Sequence, residues 1–374
     1  MNQDIGINSD LEVKEKKLHI QTSFSPDEQQ TQVSVFEGGT LLCKREFNMH
    51  EVAESQLQRE VEQYHELVKT DIELLFHMAT KVHDSQHLPS ITHLAQLFLE
   101  RGFYDEAIDL FEQAKSSNIN TVDSDYELAK AYFKKGDYDA ALHELQSVVE
   151  HYPEYPDIQL LLGKTHWRLK NFATARQHFH RATQINEKYW DAFYSLAMAL
   201  VESTLEYPVD AELPPPIERL KEAEQLFRKA LRLASDLDEA LMEEGMDKLK
   251  DTSEVEDALA LFERARKPES QGKLFDSEFY LKFMFGQLDD NTQELDFYIQ
   301  SIETVLKENP QYADLRHSLG IAYLLKGWQC FSKATGEFEK AVDINPAYDK
   351  AKRKLKLMQN DGRGLLILLR AILN

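Results

Sequence analysis

Residues with reactive side chains are few along this chain, and their spacing suits chemistry poorly. His83 and His87 stand four residues apart, which on a helix places two imidazoles on one face and could hold a metal ion. Both lie in the polar stretch KVHDSQHLPS, a setting that favours solvated histidines. His178 and His180 stand two residues apart and would point to different sides of a helix. We therefore expect no metal site.

The two cysteines of the chain, Cys43 and Cys330, are far apart in the sequence. They offer neither a disulfide framework nor a CxxC pair for metal or redox chemistry, which fits a reducing compartment. The chain also lacks a GxxxxGK phosphate-binding loop, a GxSxG nucleophile elbow and an HExxH zinc motif. We expect no enzymatic activity and no cofactor.

The charge of the chain limits its partner classes. Among 374 residues, 65 are acidic and 43 are Lys or Arg, for a formal net charge of −22. This negative charge repels phosphates, which argues against a general binder of nucleic acids or anionic membrane surfaces. Local basic patches can still exist on such a chain. The amino-terminal stretch has no apolar core of signal-peptide length, and no segment approaches the roughly 20 apolar residues that span a bilayer. We expect a cytoplasmic protein.

The elements that would position any functional residue repeat along the chain. The stretches RGFYDEAIDLFEQAK, KGDYDAALHELQSVV and KNFATARQHFHRATQ share one register. Small residues and large apolar residues each recur every 34 positions, at Ala107, Ala141 and Ala175 and at Phe111, Leu145 and Phe179. Small residues let two helices approach, while large ones fill the gap against the next hairpin. This period predicts a solenoid of helix-turn-helix repeats.

At these residues the chain resembles the tetratricopeptide repeat family. Well-formed repeats cover 88–121, 122–155 and 156–189, and weaker ones continue to Pro346, about seven in all. Lys170 stands where the first two repeats have a turn glycine, a change that we expect the hairpin to tolerate. The resemblance implies an all-α solenoid, wound as a right-handed superhelix, that binds proteins.

Other segments lie outside or interrupt the array. We predict the following organisation: a disordered terminus at 1–15, a small antiparallel β-meander at 16–48, a long helix at 49–87, the repeats at 88–346 with a proline-rich insert at 203–218, and a capping helix with an apolar tail at 347–374. The long helix packs on the meander or, alternatively, forms a dimeric coiled coil. The tail LLILLRAILN either covers the last hairpin or is exposed for self-association or contact with a membrane surface.

The resemblance also implies a binding surface, because in such repeats the first helix of each hairpin lines a concave groove. Its peptide-facing positions predict these groove residues: Tyr126, Lys130, Phe133 and Lys134 in the second repeat, Leu160, Lys164, Trp167 and Arg168 in the third, and Tyr194 and Met198 in the fourth. Four basic side chains among aromatics predict an electropositive, partly apolar groove that suits an acidic segment with an apolar anchor.

Two further patterns qualify this groove. Asp123, Asp157 and Asp191 recur at its edge, where they would temper its charge or bind a basic flank. Thr92 and Gln96 occupy the places where some family members carry residues that clamp a terminal carboxylate, so that mode of binding is not expected.

We predict a non-enzymatic adaptor or scaffold that binds a peptide segment of a partner protein in this groove. The alternative is a structural protein that assembles into homo-oligomers through its amino-terminal module and its apolar tail. Fold-level analogy supports a binding module and no finer statement.

Overall fold

A computed structural model describes residues 5–26, 29–49, 52, 56–85, 87–116, 122–234, 237–266, 277, 281, 292–308 and 313–373. The chain divides into two compact units. The first consists of Met1–Phe76 with Ala95–Gly272, and the second of His77–Leu94 with Lys273–Asn374.

The amino-terminal part of the first unit is a four-stranded antiparallel meander in the order β1-β2-β3-β4. The strands are β1 (Gly6–Val13), β2 (Lys16–Ser25), β3 (Gln30–Glu37) and β4 (Thr40–Asn48). Apolar and polar positions alternate along β2, so that one face of the sheet is buried. The turn between β3 and β4 contains Gly38 and Gly39, at φ +57° and +86°.

The disorder expected for residues 1–15 is wrong for Gly6–Val13, which forms β1. This strand pairs with β2 along its whole length, so its backbone groups that face β2 are hydrogen-bonded, and Leu11 and Val13 are buried. Lys14, at φ +53°, lies in the connecting turn in place of the usual Gly or Asn. Residues 1–4 lie outside the described part.

Helix α1 (Leu57–Ser85) follows the sheet and starts later than the predicted residue 49. In its first turns, the buried Val61 forms an apolar cluster with Phe24 of β2 and Met49. The first turns of α1 thus pack on the meander, as the first of the two interpretations of the sequence predicts.

Between residues 88 and 266, the described chain forms five pairs of consecutive helices. They are α2 (Leu88–Glu100) and α3 (Tyr104–Ser116), α4 (Val122–Lys135) and α5 (Tyr138–His151), α6 (Pro156–Arg168) and α7 (Phe172–Ile185), α8 (Trp190–Glu206) and α9 (Pro216–Leu233), and α10 (Glu239–Lys248) and α11 (Val255–Ala265). The predicted helical solenoid, preceded by a small antiparallel sheet, is confirmed.

Close packing explains the small residues of the repeat. A Cβ atom added to Gly163 of α6 would lie 2.5 Å from the ring of Phe179 on α7, and one added to Gly245 of α10 would lie 2.6 Å from the ring of Phe262 on α11. Neither position has room for a side chain, so each glycine lets a fully buried phenylalanine fill the hairpin.

Three hairpin turns share one backbone geometry. Gly102, Gly136 and Lys170 have φ values of +84°, +92° and +62°. The N–H of Lys170 donates to the carbonyl of Trp167 at 2.9 Å, and the next N–H reaches back five residues at 2.8 Å; the turn at Gly136 has the same two bonds. The hairpin tolerates Lys170, as predicted, at a conformational cost of about 1 to 2 kcal/mol.

The proline-rich insert is held by one buried cation. Arg219 of α9 is fully buried, and its guanidinium donates to the carbonyls of Ser203 at 2.7 Å and of Tyr207 and Pro208 at 3.0 Å. The carbonyl of Ser203 also accepts the backbone N–H of Tyr207, whereas the carbonyls of Tyr207 and Pro208 lie beyond the end of α8, where no helical N–H is available to them. The insert is thereby anchored to the start of α9.

Ion pairs join the sheet and α1 to the first repeat. Asp71 of α1 accepts from Arg45 of β4 at 2.6 Å and from Arg101, just after α2, at 2.8 Å. Burial would raise the pKa of Asp71, but the two guanidinium groups outweigh it and hold that pKa below its ordinary value. Lys16 of β2 also pairs with Glu106 of α3 at 2.6 Å. The small sheet is therefore built onto the repeats.

The second unit departs from the predicted repeats. Its described helices near the carboxyl end are α12 (Thr292–Glu308), α13 (Ala313–Ile344) and α14 (Asp349–Leu373). Much of the first helix of the sixth repeat lies outside the described residues. The seventh repeat, predicted as a hairpin, is instead the single 32-residue helix α13. Gly327, near the middle of α13 where a hairpin turn would lie, has helical backbone, and no described contact forces a break there.

The apolar tail is also not a separate segment. Helix α14 continues through Gly362 and Gly364, which the sequence suggests are breakers. A Cβ atom on Gly362 would lie 2.9 Å from the ring of Phe331, so the glycine permits close approach of α13 and α14. None of the described helices combines the length and the apolar character that crossing a membrane requires.

Candidate functional site

The predicted groove residues lie on α4, α6 and α8, and their exposure differs. Lys134 and Arg168 are exposed, and five others are half-buried: Tyr126, Lys130, Phe133, Lys164 and Trp167. Leu160, Tyr194 and Met198 are 3% to 5% exposed. All three are therefore corrected from surface to core positions, and Met198 also lines the cavity described below.

Helix α11 is the physical reason for the burial of Tyr194. The Tyr194 hydroxyl donates to the backbone carbonyl of Phe262 at 2.7 Å, and the Phe262 ring stacks on Phe227 with centroids 3.9 Å apart. In a regular array the first helix of the next hairpin, α10, would lie beside α8. Here α11 packs on α8 and α10 packs on α9. The fourth repeat is thus covered where the register predicts an open groove. Leu160 belongs to the apolar core that α7 and α8 help to form.

Intramolecular pairing removes much of the predicted positive charge. Lys130 lies 3.2 Å from Glu127, and Lys164 lies 2.7 Å from Asp191. Of the four basic residues, Lys134 and Arg168 have no carboxylate partner within the part of the chain that the structure describes. The electropositive groove predicted from the sequence is therefore corrected to a surface of mixed charge.

Asp191, predicted at the groove edge, is a structural link. Its carboxylate lies between Lys164 of α6 at 2.7 Å and Arg266, just after α11, at 3.0 Å. Burial would raise the pKa of Asp191, but these two cations outweigh it and hold that pKa below its ordinary value. Asp157 accepts a hydrogen bond from the Tyr189 hydroxyl. The side chain of Asp123 lies outside the described part.

A cavity of about 570 Å³ opens between the carboxyl ends of α6 and α8 and the adjoining face of α11. We call it the α6–α8–α11 cavity. Its apolar lining consists of Trp167, Met198, Leu205 and Leu259. The indole N–H of Trp167 donates to Glu202 at 2.6 Å, and its ring packs edge-on against Phe179 at 6.4 Å between centroids. The tryptophan is thus held in one orientation.

The charged lining of this cavity is mainly acidic. Glu202, Glu206, Glu256 and Glu263 line it together with one cation, Arg168, whose guanidinium carbon lies 5.8 Å from the centroid of the Trp167 ring. Glu202 and Glu206 pair with Lys170. Glu256 and Glu263 are exposed, and among the described residues neither has a cation within 4.0 Å. The cavity therefore attracts positive charge.

Three predicted residues, Trp167, Arg168 and Met198, come together in this cavity, and its glutamates were missed. Glu202 occupies the register position of the fourth repeat that corresponds to Arg168 in the third. The repeat signal could therefore have found it. Glu256 and Glu263 have no such signal, because they reach the cavity through the irregular packing of α11.

Sequence reasoning also missed a pair of histidines. His166 and His178 are 12 residues apart on α6 and α7, and their rings stack with centroids 5.4 Å apart. His178 Nδ1 lies 2.9 Å from Gln159 Oε1. Burial lowers the pKa of both histidines, and burial together with the nearby His166 takes the pKa of His178 to about 4. Across the described residues, His, Cys, Asp and Glu side chains form no cluster that could hold a metal ion.

Comparison with known proteins identifies the repeat segment. Residues 126–192 match the family model described as the tetratricopeptide repeat. This stretch runs from α4 to the start of α8 and contains eight of the ten predicted groove residues, from Tyr126 to Arg168. Over this segment the chain is therefore similar to tetratricopeptide repeats. No curated protein matches the chain.

Solved structures resemble parts of the chain at low TM-scores. The first tetratricopeptide repeat domain of Spaghetti (RPAP3), bound to the HSP90 peptide SRMEEVD, is 22% identical over 34% of this chain and 90% of its own, with a TM-score of 0.28. The thermophilic protein TTC0263 of Thermus thermophilus is 19% identical over 64% and 100%, with a TM-score of 0.33. PilF of Pseudomonas aeruginosa is 14% identical over 63% and 98%, with a TM-score of 0.37.

Proposed function

We propose that this protein is a non-enzymatic adaptor that binds a peptide segment of a partner protein in the α6–α8–α11 cavity. Tetratricopeptide repeats are in general protein-interaction modules, and residues 126–192 match their family model. The observation that supports this site is the tryptophan-lined cavity, which begins on α6 within the matched repeats and contains three predicted groove residues.

Trp167, Leu205 and Leu259 offer a small apolar contact for an anchor residue of the partner. Buried aromatic residues in preorganised pockets contribute a large share of the binding free energy at protein interfaces. Trp167 fits this role, because Glu202 and Phe179 already hold its ring in place. Ordering the ring on binding therefore has a low entropic cost.

The charges favour a partner segment that is basic on either side of its anchor. Glu256 and Glu263 are exposed at the cavity and can pair with Lys or Arg of a peptide. An acidic segment, which the sequence alone favours, would meet four carboxylates and one guanidinium at this place. We therefore propose a segment that combines Lys or Arg with a large apolar residue.

The test uses two labelled peptides, GKKLFKKG and GEELFEEG, and measures their binding to the full chain by fluorescence anisotropy. We expect the basic peptide to bind at this cavity, and any binding of the acidic peptide to be unaffected by changes to the cavity glutamates. In the variant Glu256→Gln with Glu263→Gln, we expect the basic peptide to bind about fivefold more weakly, since an exposed charge pair contributes about 0.2 to 1 kcal/mol.

The matched control is Glu187→Gln with Glu212→Gln. It removes the same charge from two exposed glutamates that do not line the cavity. We expect the control to bind the basic peptide within about twofold of the unmodified chain. Equal weakening in both variants would assign binding to net charge and would contradict the proposed site.

A further inference from the structure

The first turns of α14 carry a dense group of basic residues in an otherwise acidic chain. The five exposed side chains are Lys350, Lys352, Arg353, Lys354 and Lys356. Over the described part of the chain, none of them has a carboxylate within 4.0 Å. This contrasts with Lys130 and Lys164 of the first unit, which pair within the chain. The positive charge of α14 is thus available to a partner.

An apolar cavity of about 420 Å³ lies beside this group, between α13 and α14. We call it the α13–α14 cavity. Phe338 and Ala341 of α13 line it together with Tyr348 and Ala351. The chain next to it exposes further apolar surface, with Ile344 85% exposed. An apolar side chain of a partner could therefore be buried here, away from water.

The charged residues at the cavity are mostly basic. Lys350, Arg353 and Lys354 line it, together with one acid, Glu337. The Glu337 carboxylate already pairs with Lys340 at 2.8 Å. The charge presented at this cavity is therefore opposite to that of the α6–α8–α11 cavity.

We propose that the α13–α14 cavity binds an acidic segment of a partner protein that inserts a large apolar side chain. Lys350, Arg353 and Lys354 match carboxylates that flank such an anchor, and the apolar floor matches the anchor itself. This site differs from the one under the proposed function in its helices, its unit and its charge. The two proposals can fail separately.

A short segment fits this surface better than an extended polyanion does. Charges act over about 8 Å at physiological ionic strength, so a short acidic peptide responds to the local group on α14. A membrane surface or a nucleic acid extends much further and meets the field of a chain with a net charge of −22. A flat surface would also leave the cavity unfilled.

The chain offers two matched lysine pairs for the test. Lys350 and Lys354 line the cavity, whereas Lys352 and Lys356 are exposed on the same helix and do not line it. Each pair is spaced four residues apart and loses the same charge when changed to Gln. Since Gln and Lys have similar helix propensities, both variants should keep α14 intact.

The experiment measures anisotropy of labelled GEELFEEG with the full chain. Binding of this peptide supports the proposal if the variant Lys350→Gln with Lys354→Gln weakens it about tenfold, while Lys352→Gln with Lys356→Gln changes it by less than about threefold. Replacing Leu and Phe of the peptide with Ser should weaken binding further. The variant Glu256→Gln with Glu263→Gln should bind this peptide as the unmodified chain does.

Three results would overturn the proposal. One is equal weakening by both lysine pairs, and another is unchanged affinity of the Ser-substituted peptide. The third is that phosphatidylserine vesicles or duplex DNA compete with the peptide, and that the substitutions in either lysine pair weaken the binding of these competitors equally. That last result would assign α14 to binding of polyanions through its total charge.

Discussion

Burial changes the acid–base behaviour of the stacked histidines His166 and His178. The pKa of His178 is about 4 in the folded chain, against 6.5 for a solvated histidine. The folded chain therefore binds this proton more weakly than the unfolded chain. The free energy of unfolding is therefore unaffected by this histidine above about pH 6.5, and it decreases as the pH falls from there towards 4.

We predict that the variant His178→Gln is less sensitive to acid than the unmodified chain. Because the ring is only partly buried, solvent screening limits the effect to about 1 to 2 kcal/mol. Urea unfolding at pH 7, 6 and 5 measures it as the difference in unfolding free energy between the two proteins. A difference that does not change with pH would contradict the assigned burial.

Lys170 shows how a turn can lack its usual glycine. Its φ of +62° is costly for a side chain, while its ammonium group pairs with Glu202 and Glu206. We predict that Lys170→Gly is more stable than Lys170→Ala by about 1 kcal/mol, since both lose the ion pairs and only glycine relieves the backbone. Thermal and urea unfolding of the two variants measure this, and equal stabilities would rule out the left-handed turn.

Among the elements, α8 depends on a side chain from the next helix. Arg219 supplies hydrogen-bond donors to the carbonyls at the end of α8 and in the insert. We predict that Arg219→Met costs about 1 to 3 kcal/mol of unfolding free energy, because the carbonyls of Tyr207 and Pro208 lose a donor that the helix does not replace. Hydrogen exchange should also become faster over residues 203–218.

The control for this prediction is Arg232→Met on the same helix, where the arginine is exposed. We expect it to change stability by no more than about 0.5 kcal/mol. Slow exchange over the insert in Arg219→Met would show that other contacts hold it.

The elements found from sequence alone are those with local causes. The α4–α5 and α6–α7 hairpins follow from small residues, large apolar residues and turn positions in one register. Strand β1 was missed because Lys14 occupies its turn without a recognisable turn signal. The position of α11 on α8 and the uninterrupted α14 depend on tertiary contacts, such as that of Gly362 with Phe331, which no local pattern encodes.

For the whole molecule, the sequence indicates the amount of charge but not its placement. The acidic residues outnumber Lys and Arg by 65 to 43, so a lysine on the repeats readily finds a carboxylate partner. Lys130 and Lys164 do so, and the predicted positive groove is lost. The two cavities instead present opposite charge, which suits an adaptor that joins two different partners.

The most direct test of the central claim locates the bound peptide. The basic probe GKKLFKKG, with a photoreactive benzophenone in place of its phenyl group, is irradiated with the full chain, and the crosslinked residues are identified by mass spectrometry. We predict crosslinks to the apolar lining of the α6–α8–α11 cavity, at Trp167, Met198, Leu205 or Leu259. Crosslinks confined to Tyr126 and Phe133 of α4, or to the second unit, would contradict the claim that this cavity is the peptide-binding site.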